Sequence, residues 1–266
     1  MTQVWFNGVL VEESEVKLAP NDRGFTLADG VFETFRSHGT ELLWADAHLE
    51  RLRAGAQVLG IPVPCSDETI VGGLIALLCA AALPNGAVRL TLTRGPSTIR
   101  GLWPSSNPAR PTLLASVAPL APSSAVRLIV AQCTRRNERS PLSRIKSLNY
   151  GDNLLARREA AVRGVEDAVL LNGRDEVACC TAGNLFLRLG ASWATPPITA
   201  GVLPGLARAR VMAKLSACER SVQVADLKNA DAAVVSNSLG CRMISELCGR
   251  PLTDGSLPVE LASLYL

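Results

Sequence analysis

The chain has 266 residues, a formal net charge of +3, 48% hydrophobic residues and 19% charged ones. That is the balance of a soluble globular protein with room for one large domain or two small ones, and it excludes a disordered or fibrous chain. Lys and Arg are scattered without a basic patch, which argues against nucleic acid as a partner, whereas a small anionic substrate needs only a few local arginines.

In chain order, Met1 leads straight into the alternating run Val4-Trp5-Phe6 with no signal-peptide pattern, and Asn7-Gly8 turns it into a second strand, Val9 to Val11. Asp46 is placed to cap a helix from His48 to Gly60, with Leu49, Leu52, Ala56 and Leu59 at helical spacing. Ser66 and Asp67 cap a second helix, Val71 to Leu83, which Pro84-Asn85-Gly86 stops. It is shorter than the ~18 apolar residues of a membrane span. Strands follow at Val88 to Thr93 and Thr112 to Val117, with a loop rich in Gly and Pro between them.

Pro119 to Ser124 is the only linker-like stretch, so the expected division is a small N-terminal domain (1–118), a linker (119–124) and a larger C-terminal domain (125–266). Beyond it the pattern predicts a strand from Val126 to Ala131, a helix from Asp152 to Arg163 and a strand from Asp167 to Leu171. A hairpin at Gly173-Arg174 leads into one strand ending at Leu185-Phe186-Leu187. Short helices follow Gly205 and Ala225, and a strand, Ala232 to Ser236, precedes the loop Asn237 to Gly240. Clustered strands with helices between them argue α+β. Eight cysteines without C-x-x-C spacing and only two histidines argue against disulfides and zinc, and the chain is expected to be cytoplasmic with reduced thiols.

Lys146 is the first chemical candidate. Flanked by apolar residues just before a helix, it would be a desolvated amine with a lowered pKa, fit to act as a nucleophile. On local grounds alone the commoner reading is a lysine whose stem lies on apolar surface with its head in water.

The segments Arg23 to Thr34, His48-Leu49-Glu50-Arg51-Leu52, Ile145 to Tyr150 with Asp152-Asn153, and Gly183-Asn184-Leu185-Phe186 tilt the balance. So do Thr195-Pro196-Pro197, Gly201-Val202-Leu203-Pro204-Gly205 and Asn237-Ser238-Leu239. In this order they resemble the class IV aminotransferases (PLP fold type IV), from near the N-terminus to about residue 245. Any one block is weak; the series in register is strong.

The resemblance implies a two-domain fold, with a small N-terminal α/β domain and a larger β-barrel-like domain with helices. It also implies pyridoxal 5'-phosphate (PLP) as cofactor and a homodimer with its active site between the domains and near the partner. Lys146 would carry the cofactor as a Schiff base. Arg51 would offer its guanidinium fork to the phosphate, and Leu206 and Ala207 the backbone N–H groups of a helix start. Ser238 would add a hydroxyl, and Asn184 belongs to the same cofactor-binding set. Ala207 stands where the family often has threonine, so one side-chain donor is lost. Alone, Arg51 reads as a surface arginine and Ser238 as a loop serine.

The chain departs from the pattern at Cys179, five residues before Asn184, where the family's glutamate meets the pyridine nitrogen. A neutral thiol cannot hold that nitrogen protonated. Glu176 could substitute only if the segment bulges, because its odd offset points it to the other face of a strand. A buried Cys179-Cys180 pair in a catalytically silent PLP-binding protein is the alternative. Phe32, Tyr150 and Arg100 are the substrate-side candidates, with Arg100 holding a carboxylate and Arg36 and Arg94 next in line. Leu102 stands where the D-amino acid enzymes have a histidine. The combination of Gly30 to Arg36 with Lys146 to Tyr150 looks closest to aminodeoxychorismate lyases, ahead of branched-chain or D-amino acid aminotransferases.

Overall fold

The computed structural model describes residues 2–99, 101–103, 110–253 and 256–265. The chain forms two compact units, one of residues 1–121 with 145–149 and the other of residues 122–144 with 150–266.

The first unit contains β1 (Gln3–Phe6), β2 (Val9–Glu12), α1 (Arg23–Leu27), β3 (Gly30–His38) and β4 (Glu41–Leu42). It continues with α2 (Ala45–Leu59), α3 (Asp67–Ala81), β5 (Asn85–Thr93) and β6 (Thr112–Pro119). The six strands make one antiparallel sheet in the order β2-β1-β6-β5-β3-β4. The alternation along β3 and β5 turns Val31, Phe35, Val88, Leu90 and Leu92 toward the buried core with Leu49, Leu52, Leu74 and Leu77 of the two long helices. Fully burying each large apolar side chain contributes about 1.5–3 kcal/mol. Gly73 lets α3 lie directly on the Trp5 indole, where a Cβ would collide with the ring.

Ser66 caps α3, its hydroxyl accepting from the Thr69 amide at 3.3 Å. The other expected cap is corrected. α2 starts behind Trp44, which takes a left-handed φ of 58° and offers no side-chain cap, and Asp46 lies inside the first turn, where its charge meets the helix dipole. α3 ends at Ala81 with Ala82 left-handed, so Asn85 and Gly86 already belong to β5.

The second unit contains β7 (Val126–Val130), α4 (Gly151–Val162), β8 (Asp167–Leu171), β9 (Val177–Cys180), β10 (Asn184–Leu189) and β11 (Ser192–Thr195). It ends with α5 (Leu206–Leu215), β12 (Cys218–Glu219), α6 (Val224–Asn229), β13 (Ala232–Asn237), β14 (Gly240–Leu247) and β15 (Arg250–Pro251). The sheet is nine-stranded, in the order β12-β11-β10-β13-β14-β7-β8-β9 with β15 beside β14, and the pairs β14–β7, β7–β8 and β11–β12 are parallel. One face buries Val126, Leu128, Val169, Leu185, Leu187 and Val235. On the other, Ala156 and Ala160 of α4 meet Ala168 and Leu170, small side chains that let helix and sheet approach closely.

The single strand expected through Leu187 is two strands with different partners. β9 pairs with β8, whereas β10 pairs with β11 and β13. The break is a corner at Thr181–Gly183, held because the buried Asp167 carboxylate accepts from both the Thr181 hydroxyl and the Thr181 amide. β3 and β14 are further strands that the sequence pattern did not mark out.

Candidate active site

In the first unit, residues 145–149 lie along β3. The Phe32 amide donates to the Lys146 carbonyl at 2.9 Å, the Leu148 amide to the Gly30 carbonyl at 2.9 Å, and Val31 pairs antiparallel with Ser147. This is why the segment leaves the C-terminal part to which the sequence assigned it. The pairing brings Lys146 to Phe32, its Nζ 4.1 Å from the ring centroid. The Arg89 guanidinium carbon stands 3.7 Å from the same centroid. Burial lowers the Lys146 pKa from 10.5 to about 8, and nearby Arg51 and Arg89 push the same way while Glu33 opposes them.

Arg51, on α2, has its Nε–Nη2 edge closed on the fully buried Glu33 carboxylate, at 2.8 and 2.7 Å. That edge of the guanidinium is thus already taken by a carboxylate of the same unit. His48, one helical turn before Arg51, donates from Nδ1 to Glu33 Oε2 at 2.7 Å and packs on Phe35 with ring centroids 4.5 Å apart. Burial lowers the His48 pKa, so the ring is neutral; Glu33 stays ionised because the Arg51 and His48 hydrogen bonds outweigh the burial that would raise its pKa.

The sequence reading missed Glu33, His48 and Arg89. A signal for Glu33 was present: Val31, Glu33 and Phe35 alternate onto one face, and a carboxylate on a core face demands charged partners. Arg94, a reserve substrate candidate, is committed elsewhere, bound to Asp29 at 2.7 Å and to the carbonyls of Leu59 and Gly60. Arg100 lies outside the described residues.

In the second unit the corner at residues 181–184 gathers several expected segments. Asn184 donates to the Leu203 carbonyl at 3.1 Å, and its side-chain oxygen fills the space a Cβ on Gly205 would need. α5 begins there with no side-chain cap and no acidic residue in its first turn. The amides of Leu206 and Ala207, at its first two positions, thus suit an anion. Asn237 donates to the Ala182 carbonyl at 3.1 Å and accepts from the Leu239 amide, tying the turn that carries Ser238 to the same corner. Asn153 of α4 donates to the Thr181 carbonyl at 2.6 Å. Tyr150 lines a cavity of about 320 Å³ with Asn153, Arg157, Asp167, Thr181 and Asn237.

Cys179 is buried on β9 opposite Leu170, its thiol pKa raised by burial. Glu176 does not compensate, because its carboxylate accepts from Asn172, Arg174 and Ser221. The charge that acts on the Cys179 thiol to lower its pKa is Arg136. That guanidinium donates to the carbonyls of Ser143 and Gly201 and to Asn153 Oδ1, and has no carboxylate partner among the described residues. No group of three His, Cys, Asp or Glu side chains among the described residues could hold a metal, and no described helix is long and apolar enough to cross a membrane.

Taken unit by unit, the Lys146 amine of the first and the uncapped start of α5 in the second have the chemistry an aldehyde and a phosphate require, whereas Cys179 offers no carboxylate to a ring nitrogen. The family profile Amino-transferase class IV matches residues 30–247. The aminodeoxychorismate lyase of Bacillus subtilis is 30% identical over 207 residues, 77% of this chain and 71% of that protein. The D-alanine aminotransferase of Staphylococcus epidermidis is 26% identical over 265 residues, 97% of this chain and 93% of that protein. Among solved structures, the T.th. branched-chain amino acid aminotransferase complexed with N-(5'-phosphopyridoxyl)-L-glutamate superposes with a TM-score of 0.89 at 22% identity, covering 99% of this chain and 92% of that one. The chain therefore belongs to the class IV aminotransferase family, as a PLP-dependent enzyme of that fold.

Proposed function

We propose that this enzyme acts as an aminodeoxychorismate lyase, releasing 4-aminobenzoate and pyruvate from 4-amino-4-deoxychorismate. The observation that carries this reading is Cys179, a buried neutral thiol where the family supports its ring nitrogen with a carboxylate. An elimination that forms an aromatic ring draws electrons toward its own product and so depends least on that support. The 30% identity to the Bacillus subtilis lyase adds weight.

When bound, PLP supplies an aldehyde for the substrate amine and an electron-withdrawing ring. The protein's part falls to named groups. Lys146 holds the cofactor and afterwards moves the proton, its lowered pKa keeping the amine within reach of neutrality. Arg51, the amides of Leu206 and Ala207, and Ser238 hold the phosphate. Arg89, beside Lys146 across the Phe32 ring, orients a substrate carboxylate. Phe32 and Tyr150 pack against the substrate, and Asn184 holds the cofactor-side corner.

A second reading, amino acid transamination, is favoured by the D-alanine aminotransferase relative, whose likeness runs over 97% of the chain. Side-by-side assays separate the two. The lyase reading expects 4-aminobenzoate and pyruvate in equal amounts, with slow transamination of D-alanine and of L-branched-chain donors. Fast transamination without release of 4-aminobenzoate would overturn it. Lys146→Ala is expected to lose the borohydride-reducible visible absorbance in either case.

A further inference from the structure

We propose that Glu33 is the positioning residue of this site, setting the electrostatic field at the Lys146 amine by holding one edge of Arg51 and balancing its charge. The inference rests on the reading of Lys146 given above and assigns a role to a residue that touches neither substrate nor cofactor.

The geometry carries it. Glu33 is fully buried on the core face of β3, and a carboxylate there is retained only if it is paired. Both its oxygens are taken: Oε1 accepts from Arg51 Nε, and Oε2 accepts from Arg51 Nη2 and His48 Nδ1. A bidentate contact to a carboxylate that cannot rotate leaves Arg51 little freedom to swing. His48 orients the carboxylate without adding charge, since the ring is neutral, buried and packed at a tilt against Phe35.

Lys146 faces three charged groups from the elements packed on it: Glu33 from β3, Arg51 from α2 and Arg89 from β5. His48 of α2 stands behind Glu33. Arg51 and Arg89 disfavour a third cation, and Glu33 is the one anion among them. The Glu33–Arg51 pair is nearly neutral as a unit, so its two effects on the amine oppose each other and burial remains the larger cause that brings its proton within reach of neutral pH. Removing either partner unbalances the pair in an opposite sense.

This opposition is the test. Pyridoxal, which lacks the phosphate, is offered to the apoenzyme over a pH series, and the midpoint for its covalent capture by Lys146 is read from the visible absorbance. Phosphate contacts drop out, and only the neutral amine adds to the aldehyde with loss of water. The native midpoint is expected near pH 8. Glu33→Gln should lower it, and Arg51→Met should raise it, each by about one pH unit or more. The double variant should return toward the native value. A merely structural role would move both single variants the same way or neither.

Coincident midpoints, or shifts of the same sign, overturn the role of Glu33 while leaving Lys146 in place. Should Glu33→Gln fail to fold, the rise in Arg51→Met decides alone, since Glu33 is then the unbalanced charge, and an unmoved midpoint overturns the proposal. Native apoenzyme that captures no pyridoxal overturns the Lys146 reading and this role with it.

Discussion

The Lys146 ammonium nitrogen sits 4.1 Å from the centre of the Phe32 ring, on a half-buried side chain whose charge burial disfavours. The ring face offers a partial cation–π contact but does not replace lost hydration. The folded pKa of about 8 lies below the ordinary 10.5, so the native state binds the proton more weakly than the unfolded chain. The resulting stability penalty is complete below pH 8, shrinks between pH 8 and 10.5, and vanishes above. Apo Lys146→Met should therefore be more stable than the native apoprotein at pH 7, by about 3 kcal/mol at most. Paired thermal melts check this, and the gap should close as the pH approaches 10.

Arg89, exposed on β5, stands over the same Phe32 ring that Lys146 contacts. Arg89→Ala is expected to lower kcat/KM about 10- to 150-fold while the cofactor spectrum stays unchanged. Arg89→Lys should recover only part, because a point charge lacks the planar fork. Steady-state kinetics with a spectrum of each holoenzyme decide it; native kinetics in Arg89→Ala would return the carboxylate to Arg100.

Replacing Cys179 with glutamate would place a carboxylate where Arg136 now acts on a thiol. Transamination should rise relative to 4-aminobenzoate release. Overpacking at a buried position typically costs about 1–3 kcal/mol, so melting temperature and PLP content accompany the assay. An unchanged ratio of the two activities in folded, loaded variant would show that another group serves the nitrogen.

Asp29 joins Arg23 and Arg94, at 2.8 and 2.7 Å. Arg94 in turn clamps the carbonyls of Leu59 and Gly60, and Arg23 those of Gly101 and Leu102. Burial would raise the Asp29 pKa, but the hydrogen bonds from the two arginines bring it below the ordinary value. Its stabilisation is thus present above the unfolded-state pKa and is lost as the pH falls through the lower folded one. Asp29→Ala should cost about 1.5–3 kcal/mol at pH 7, read from denaturant unfolding, and its effect should fade in acid.

The sequence by itself determined the family and the cofactor, because both rest on residue types in a fixed order, and it nominated Lys146 on the same ground. Elements whose signals are local were legible too: Ser66 capping α3, and the unbroken apolar run of β8. The corner at Thr181 was not, because a buried carboxylate from another strand, Asp167, holds it. Nor was the placement of residues 145–149, which depends on pairing with β3 across more than a hundred residues of chain. The tertiary structure alone decided which edge of Arg51 is already taken, that Arg94 is a clamp, and that Glu176 is bound to Asn172, Arg174 and Ser221. Residue order fixes what chemistry is at hand; which charges face one another follows from long-range packing, since a buried charge stays only where the folded chain supplies its partner.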